Sequence, residues 1–267
     1  GEVSEADGYE VMAIRYATRV TSRREAFYRY ESYGQPDAPL RMDYYFWVLR
    51  SRRRVVLVDT GFDPEVGRRR GRTVLIEPLR ALERLGVHPR DVAHVIVTHL
   101  HYDHIGNLAA FPRAGLSVPL PELEFWTGPY ASRPQFAEHV EPAEVAELGA
   151  AWREGRVRAV EDGQEILPGI RAYLVGGHSP GQQVTVVDGD RGRVVLASDA
   201  IHYEEEMERD MPFAIFSDLA GMYRGYDRLR ELREQERGVV VAGHDPVVME
   251  RFPSLGGDLD GLAVRLG

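Results

Sequence analysis

The sequence predicts an α/β layered domain, and three observations predict it. Apolar runs of strand length alternate with segments of helical period along the whole chain. The alternation comes in two similar halves, and every candidate ligand-type residue lies just after a strand. With 267 residues, 43% of them hydrophobic, the chain can bury a large core. No repeat, low-complexity segment or Pro/Gly/Ser-rich linker divides it, so residues 1–267 read as one domain. Within it, residues 1–8 are expected to be flexible or an expression remnant.

Each element follows from its local pattern. Strands are expected over Tyr9–Tyr16, Tyr44–Leu49 and Val55–Val58, the last ending in Asp59-Thr60-Gly61. A helix over Ile76–Leu85 places Leu79, Leu82 and Leu85 at i, i+3 and i+6, with Gly86 to stop it. The strand His94–Val97 follows, then a strand over Leu116–Leu120 and a helix over Pro142–Glu154. In the second half, Ile170–Val175 leads into Gly176-Gly177-His178. Val184–Val187 and Val194–Ala197 flank the turn-rich stretch Asp188–Gly192, which reads as a hairpin. A helix over Leu219–Glu236 precedes a last strand, Val239–Ala242, that runs into Gly243-His244-Asp245.

Composition narrows the function. A net charge of −9 argues against nucleic acid or an anionic membrane as the main partner. The arginine clusters at residues 52–54 and 68–70 read as solvated faces. The apolar runs fall short of the ~20 residues that a membrane helix needs. The polar N-terminal stretch is unlike a secretory signal, so a soluble, cytoplasmic protein is expected. With no cysteine, any metal site must use histidine and carboxylate.

The segment Thr98-His99-Leu100-His101-Tyr102-Asp103-His104-Ile105-Gly106 supplies such ligands. In extended chain His99 and His101 point the same way and can share one cation. Asp103 and His104, after the chain turns, can serve a second. His178 sits in Gly-Gly-His-Ser-Pro-Gly, Asp199 in Leu-Ala-Ser-Asp-Ala and His244 in Val-Ala-Gly-His-Asp-Pro. Seven ligands suit two divalent ions with one carboxylate bridging. Nitrogen and oxygen donors suit zinc, while manganese, iron or cobalt fit nearly as well. Such a pair of ions makes a bridging hydroxide near neutral pH, able to attack a carbonyl carbon.

From Val58-Asp59-Thr60-Gly61 to Gly243-His244-Asp245 the sequence resembles the metallo-β-lactamase superfamily. The resemblance implies a four-layer αββα sandwich with a two-metal site at one edge. It implies one metal on His99, His101 and His178, the other on Asp103, His104 and His244, and Asp199 bridging. Asp59 matches a position that supports the metal loop by hydrogen bonding. The chain lacks the Cys ligand of the commonest penicillin-degrading branches, the Glu that flavodiiron relatives place at His101, and room for their flavodoxin domain. It also lacks the long insert of the nucleases before His244 and the helical extension of the glyoxalase-type thioesterases. What remains resembles the acyl-homoserine lactonase branch, through Ala197-Ser198-Asp199-Ala200-Ile201-His202-Tyr203 and Asp210-Met211-Pro212-Phe213.

That branch implies a lactonase that opens a cyclic ester, a homodimer, and Asp103 passing a proton to the leaving oxygen. It places a Tyr three residues after the bridging Asp, where this chain has His202. His202 is expected to give a hydrogen bond or a proton to the same oxygen, and the change leaves the particular lactone open. Aromatics among Phe27–Trp47, with Met207, Met211, Phe213, Phe216 and Met222, suggest an apolar pocket for a lactone or ester. The alternatives are another lactone, ester or cyclic amide of aromatic catabolism, of the 4-pyridoxolactonase type, or a non-hydrolytic metal-binding protein. His94 reads as structural, His88 and His139 as surface loop residues, and Glu204-Glu205-Glu206 as a solvated stretch.

Overall fold

The computed structural model describes residues 8–267, so the expected tail falls outside the described residues except for Gly8. Gly8 packs closely, since a Cβ there would lie 2.7 Å from the Asp190 Cα. Thirteen strands form two sheets. They are β1 (Glu10–Ser22), β2 (Pro39–Arg50), β3 (Val55–Val58), β4 (Thr73–Val74), β5 (Val92–Ile96), β6 (Gly115–Pro119) and β7 (Arg158–Val160), then β8 (Glu165–Leu167), β9 (Ile170–Leu174), β10 (Gln183–Gly189), β11 (Gly192–Ser198), β12 (Val239–Ala242) and β13 (Ala263–Arg265). The larger sheet runs β13-β1-β2-β3-β5-β6-β7, with β4 paired to β1; the smaller runs β12-β11-β10-β9-β8. β3, β5, β6 and β7 are parallel in the first sheet, and β11 and β12 in the second.

Alternation along the strands builds an αββα sandwich. Tyr45, Trp47 and Leu49 of β2 pack with Val194 and Leu196 of β11 in the core between the sheets. Phe46 and Val48, with Val195 and Ala197, face outward into the core shared with the helices. There the helix Leu219–Glu236 covers the smaller sheet with Met222, Tyr226, Leu229 and Leu232, and Pro78–Arg84 covers the larger with Ala81 and Leu82. So both faces of β2 are buried. Tyr44–Leu49 is core on both sides, and only its first residue, with Met42 before it, reaches the cavity described below.

Several boundaries differ from the sequence expectation for physical reasons. β1 continues past Tyr16 through a register shift and pairs to Ser22. Its outer half is polar and held by the β2 ladder, so no apolar pattern marks it. Leu120 belongs to no strand; it starts a helix, Leu120–Trp126, with Pro121 in the first turn. Glu204–Glu206 is not a solvated stretch but the first turn of a helix, and Glu206 is fully buried. Among the described residues no helix is long and apolar enough to cross a membrane.

One half-buried acid on the helix Pro142–Arg153 has a measurable consequence. Burial, reinforced by Glu141, Asp63 and Glu147, pushes the Glu144 carboxyl up to about 7. Below the ordinary Glu range both folded and unfolded chains are protonated there. As pH rises, the unfolded chain ionises first and the folded state is increasingly penalised. Glu144→Gln is therefore expected to raise Tm relative to the parent more at pH 8 than at pH 5. Equal shifts at both pH values would show that Glu144 titrates normally.

Candidate metal centre

The parallel strands end at one edge of the sandwich, and the histidines and aspartates leave the sheets there. Asp59 follows β3, the segment His99–His104 follows β5, His178 follows β9, Asp199 follows β11 and His244 follows β12. Loops beyond the carboxyl ends of parallel strands are the usual place for a ligand in such sheets. Asp59 and Ser198, at two strand exits, adopt left-handed backbone with φ of 62° and 48°. Such a conformation costs a non-glycine residue about 1 kcal/mol or more. At Asp59 it serves a buried carboxylate that accepts the Thr98 N–H and hydroxyl, both at 2.8 Å, and faces His104 Nδ1 at 2.6 Å. The structure thus gives Asp59 the supporting place that the resemblance implied. Gly243 lets the His244 loop close on Asp199, since a Cβ there would meet the Ser198 carbonyl oxygen at 2.4 Å.

The seven expected ligands come together in two adjoining groups. His99, His101 and His178 form one, and Asp103, His104, Asp199 and His244 the other, all buried. Asp199 lies between them. Its Oδ2 is 3.4 Å from His99 Nε2, 3.4 Å from His178 Nε2 and 3.2 Å from His104 Nε2, and its Oδ1 is 3.1 Å from His244 Nε2. Asp103 Oδ2 lies 3.2 Å from His104 Nε2 and 3.5 Å from His244 Nε2. His202, outside the expected ligand set, also joins: its Nε2 is 3.4 Å from Asp199 Oδ2, and His178, Asp199 and His202 make a third group of three donors.

Other contacts orient the rings. His178 Nδ1 faces the Ile215 carbonyl at 2.7 Å, His244 Nδ1 the Asp43 carbonyl at 2.7 Å, and His99 Nδ1 the Thr98 hydroxyl at 3.0 Å. With Nδ1 engaged, Nε2 of each ring is left for the cluster. His101 turns the other way, with its Nδ1 3.0 Å from His178 Nε2. Nε2 of His99 and His244 and Oδ1 of Asp199 are buried without a hydrogen bond. They belong to donor groups whose ligand atoms lie within 4.8 Å of one another. Orphaned buried donors of this chemistry fit a divalent cation.

The electrostatics agree. Burial alone would raise the Asp199 carboxyl, but His244, His104, His202 and His99 outweigh it and hold it well below the carboxylate range. Burial alone would lower His104, but Asp103, Asp199 and Asp59 hold it well above the ordinary imidazole range. Burial and the neighbouring His104 push His99 down to about 3, and burial pushes His202 down to about 3 against the pull of Asp199. The cluster concentrates negative charge around buried nitrogen donors, which favours a cation.

Two buried glutamates that the sequence reading missed brace these loops. Glu122 accepts the Leu100 N–H (3.0 Å) and Trp126 Nε1–H (2.7 Å) on one oxygen, and the Ser179 hydroxyl (2.5 Å) and Gly181 N–H (2.7 Å) on the other. It ties the His99–His104 loop to the His178 loop. Its signal was a lone carboxylate beside Leu123 and Trp126 on the apolar face of a short helix. Glu206 accepts the N–H groups of His202, Tyr203 and Phe213 and the Tyr226 hydroxyl. Burial pushes its carboxyl up to about 8 against those four donors.

A cavity of about 210 Å³ opens over the cluster, lined by His101, Asp103, His178, Asp199 and His202 together with Met42, Tyr44, Tyr102, Phe213 and Ile215. It is not the apolar pocket that the aromatic content suggested, because Arg19, Arg70 and Arg72 also line it. Arg70 therefore departs from the solvated face of its cluster. His139 is no surface residue either; its ring centre lies 5.5 Å from that of His101 and it lines the same cavity. His94 stays apart from the site, its Nε2 2.5 Å from the Ser117 hydroxyl, and His88 is exposed. A second cavity of about 330 Å³ with Trp126, Phe136 and Phe216 adjoins the first at His101, His139 and His178.

Two facing sheets with histidine and aspartate donors gathered at one edge define a metal-binding α/β sandwich. The family model of the metallo-beta-lactamase superfamily matches residues 42–244, and the chain belongs to that superfamily. An N-acyl homoserine lactonase of Bacillus cereus is 30% identical over 166 residues, which cover 61% of this chain and 60% of the relative. The match thus spans about three-fifths of that relative's length. Among solved structures, a quorum-quenching N-acyl homoserine lactone lactonase superposes with a TM-score of 0.74 at 22% identity, covering 90% of this chain and 93% of that one. An N-acyl homoserine lactone hydrolase, solved with the product N-hexanoyl-L-homoserine at its catalytic metal center, gives 0.74 at 21% identity over 91% and 96%. These likenesses show the shared fold.

Proposed function

We propose that the protein is a dinuclear metal-dependent hydrolase that opens a lactone. The observation that carries this reading is the meeting of two donor groups on Asp199, with buried donor atoms left unpartnered around it. One ion would be held by His99, His101 and His178, the other by Asp103, His104 and His244, with Asp199 shared. When bound, two such ions supply Lewis acidity for a water and for an ester carbonyl. The chain's own residues do the rest. Asp59 fixes the ring of His104, while backbone carbonyls fix those of His178 and His244. Asp103 lines the cavity and would pass a proton to the leaving oxygen. His202 stacks on Phe213 at 3.6 Å between ring centres and would offer an N–H to the substrate oxygen.

Metal analysis combined with a lactone panel tests the reading. Two equivalents of divalent metal and hydrolysis of at least one lactone are expected. Protein with both metals bound that is inert toward lactones, esters, thioesters and phosphodiesters would overturn it. His202→Ala is expected to keep its metal and lower kcat/KM by roughly 10²-fold. Unchanged turnover with unchanged metal would remove His202 from the mechanism. A gain of acyl-homoserine lactone turnover in His202→Tyr would show that this position sets substrate choice.

A further inference from the structure

The three arginines of the cavity are not equally provided with partners. Arg70 donates to the carbonyls of Glu138 and Val140, pairs with Glu141 at 3.1 Å, and lies 4.1 Å over the Tyr102 ring. Arg72 donates from Nε to the Tyr102 hydroxyl at 2.9 Å and from a terminal nitrogen to the Arg70 carbonyl at 2.7 Å. Among the described residues it has no carboxylate partner within ion-pair distance. Arg19 stands opposite Met42 in the β1–β2 ladder, and its side chain has neither a hydrogen bond nor an ion pair among the described residues. Its Nε is buried and unpartnered.

The acidic groups at this cavity make no ion pair with Arg19 or Arg72 among the described residues, although the charge of Asp103 is felt at Arg72. Asp103 and Asp199 face the histidine cluster. Glu138 lines the cavity from an exposed position and makes no ion pair among the described residues. Leaving guanidinium donors unpaired away from bulk water costs stability. The chain has 42 acidic residues against 33 Lys and Arg, yet among the described residues none is set in ion-pair contact with Arg19 or Arg72. Arg19 and Arg72 both flank Tyr44, with the Arg72 guanidinium 6.0 Å from that ring's centre. They form a cationic, aromatic-walled lobe in an otherwise acidic protein.

We infer that the substrate carries a carboxylate, gripped by Arg19 and Arg72 beside the metal cluster. A planar carboxylate matches the fork of a guanidinium, and two forks around one small cavity select for it over a neutral group. The volume of about 210 Å³ keeps the anionic part compact. The adjoining cavity beyond His139, where Trp126, Phe136 and Phe216 stand among polar residues, takes the rest of the molecule. This inference rests on the lactone-hydrolase reading, and the test separates the two.

The metal-loaded protein is assayed with γ-butyrolactone bearing a ring carboxylate and with the matching carboxamide. Binding of both is followed by titration calorimetry, alongside the Arg19→Gln and Arg72→Gln variants. The parent is expected to favour the carboxylate by about 10- to 100-fold in kcat/KM, mostly through KM. Each variant is expected to bring that ratio toward one. Equal handling of the two lactones by the parent, or an undiminished preference in both variants, would overturn the inference. If neither lactone is cut but the carboxylate still binds at least tenfold tighter in an arginine-dependent way, the anion site stands, while inertness across the whole lactone and ester panel as well brings down the lactonase reading.

Discussion

Asp199→Ala is expected to drop bound metal from two equivalents to one or fewer and to lower kcat/KM by at least 10²- to 10³-fold. The reason is its shared position. One carboxylate lies within 3.4 Å of His99, His104 and His178 through Oδ2 and within 3.1 Å of His244 through Oδ1, so both donor groups lose a member at once. The change also removes the leading carboxylate that holds charge on His244, and one of three, with Asp103 and Asp59, that hold it on His104. Metal content by elemental analysis and steady-state hydrolysis check it. A variant with two tightly held metals would show that Asp199 is not shared.

The second large effect is on stability. Glu122→Gln puts an amide where a carboxylate receives two donors on each oxygen, so two buried donors face an NH₂ group instead. Breaking a buried, fully satisfied charge of this kind costs about 3–5 kcal/mol. For a chain of this size that is a fall in Tm of roughly 10 °C. Because Glu122 joins Leu100 to Ser179 and Gly181, metal affinity is expected to fall with stability. Thermal unfolding of apo and metal-loaded protein measures both. A neutral result would mean that water replaces the lost acceptor.

The comparison of sequence and structure is instructive at particular residues. Val55–Val58, Leu219–Glu236 and Val239–Ala242 are the same in both, because each is a strongly patterned segment bounded by its own stop signal. The ligand-type residues were legible because His and Asp after apolar runs serve no packing need. The site's braces were not. Glu122 and Glu206 look like ordinary surface acids until the fold brings four donors to each. The cavity's charge was equally hidden. Arg19 belongs to the part of β1 beyond the register shift, which has no apolar pattern, and Arg72 lies in the turn before β4. Nothing local places either guanidinium beside His101. Only the sheet order does.

The hydrogen bond between His244 and the Asp43 carbonyl joins residues 201 positions apart, and it bears on how the protein comes to be active. Ring closure over so long a stretch is entropically slow, and contacts of this reach form late in folding. The His244 side of the site therefore cannot exist in a nascent chain before β12 is made and has docked beside β11, its parallel neighbour.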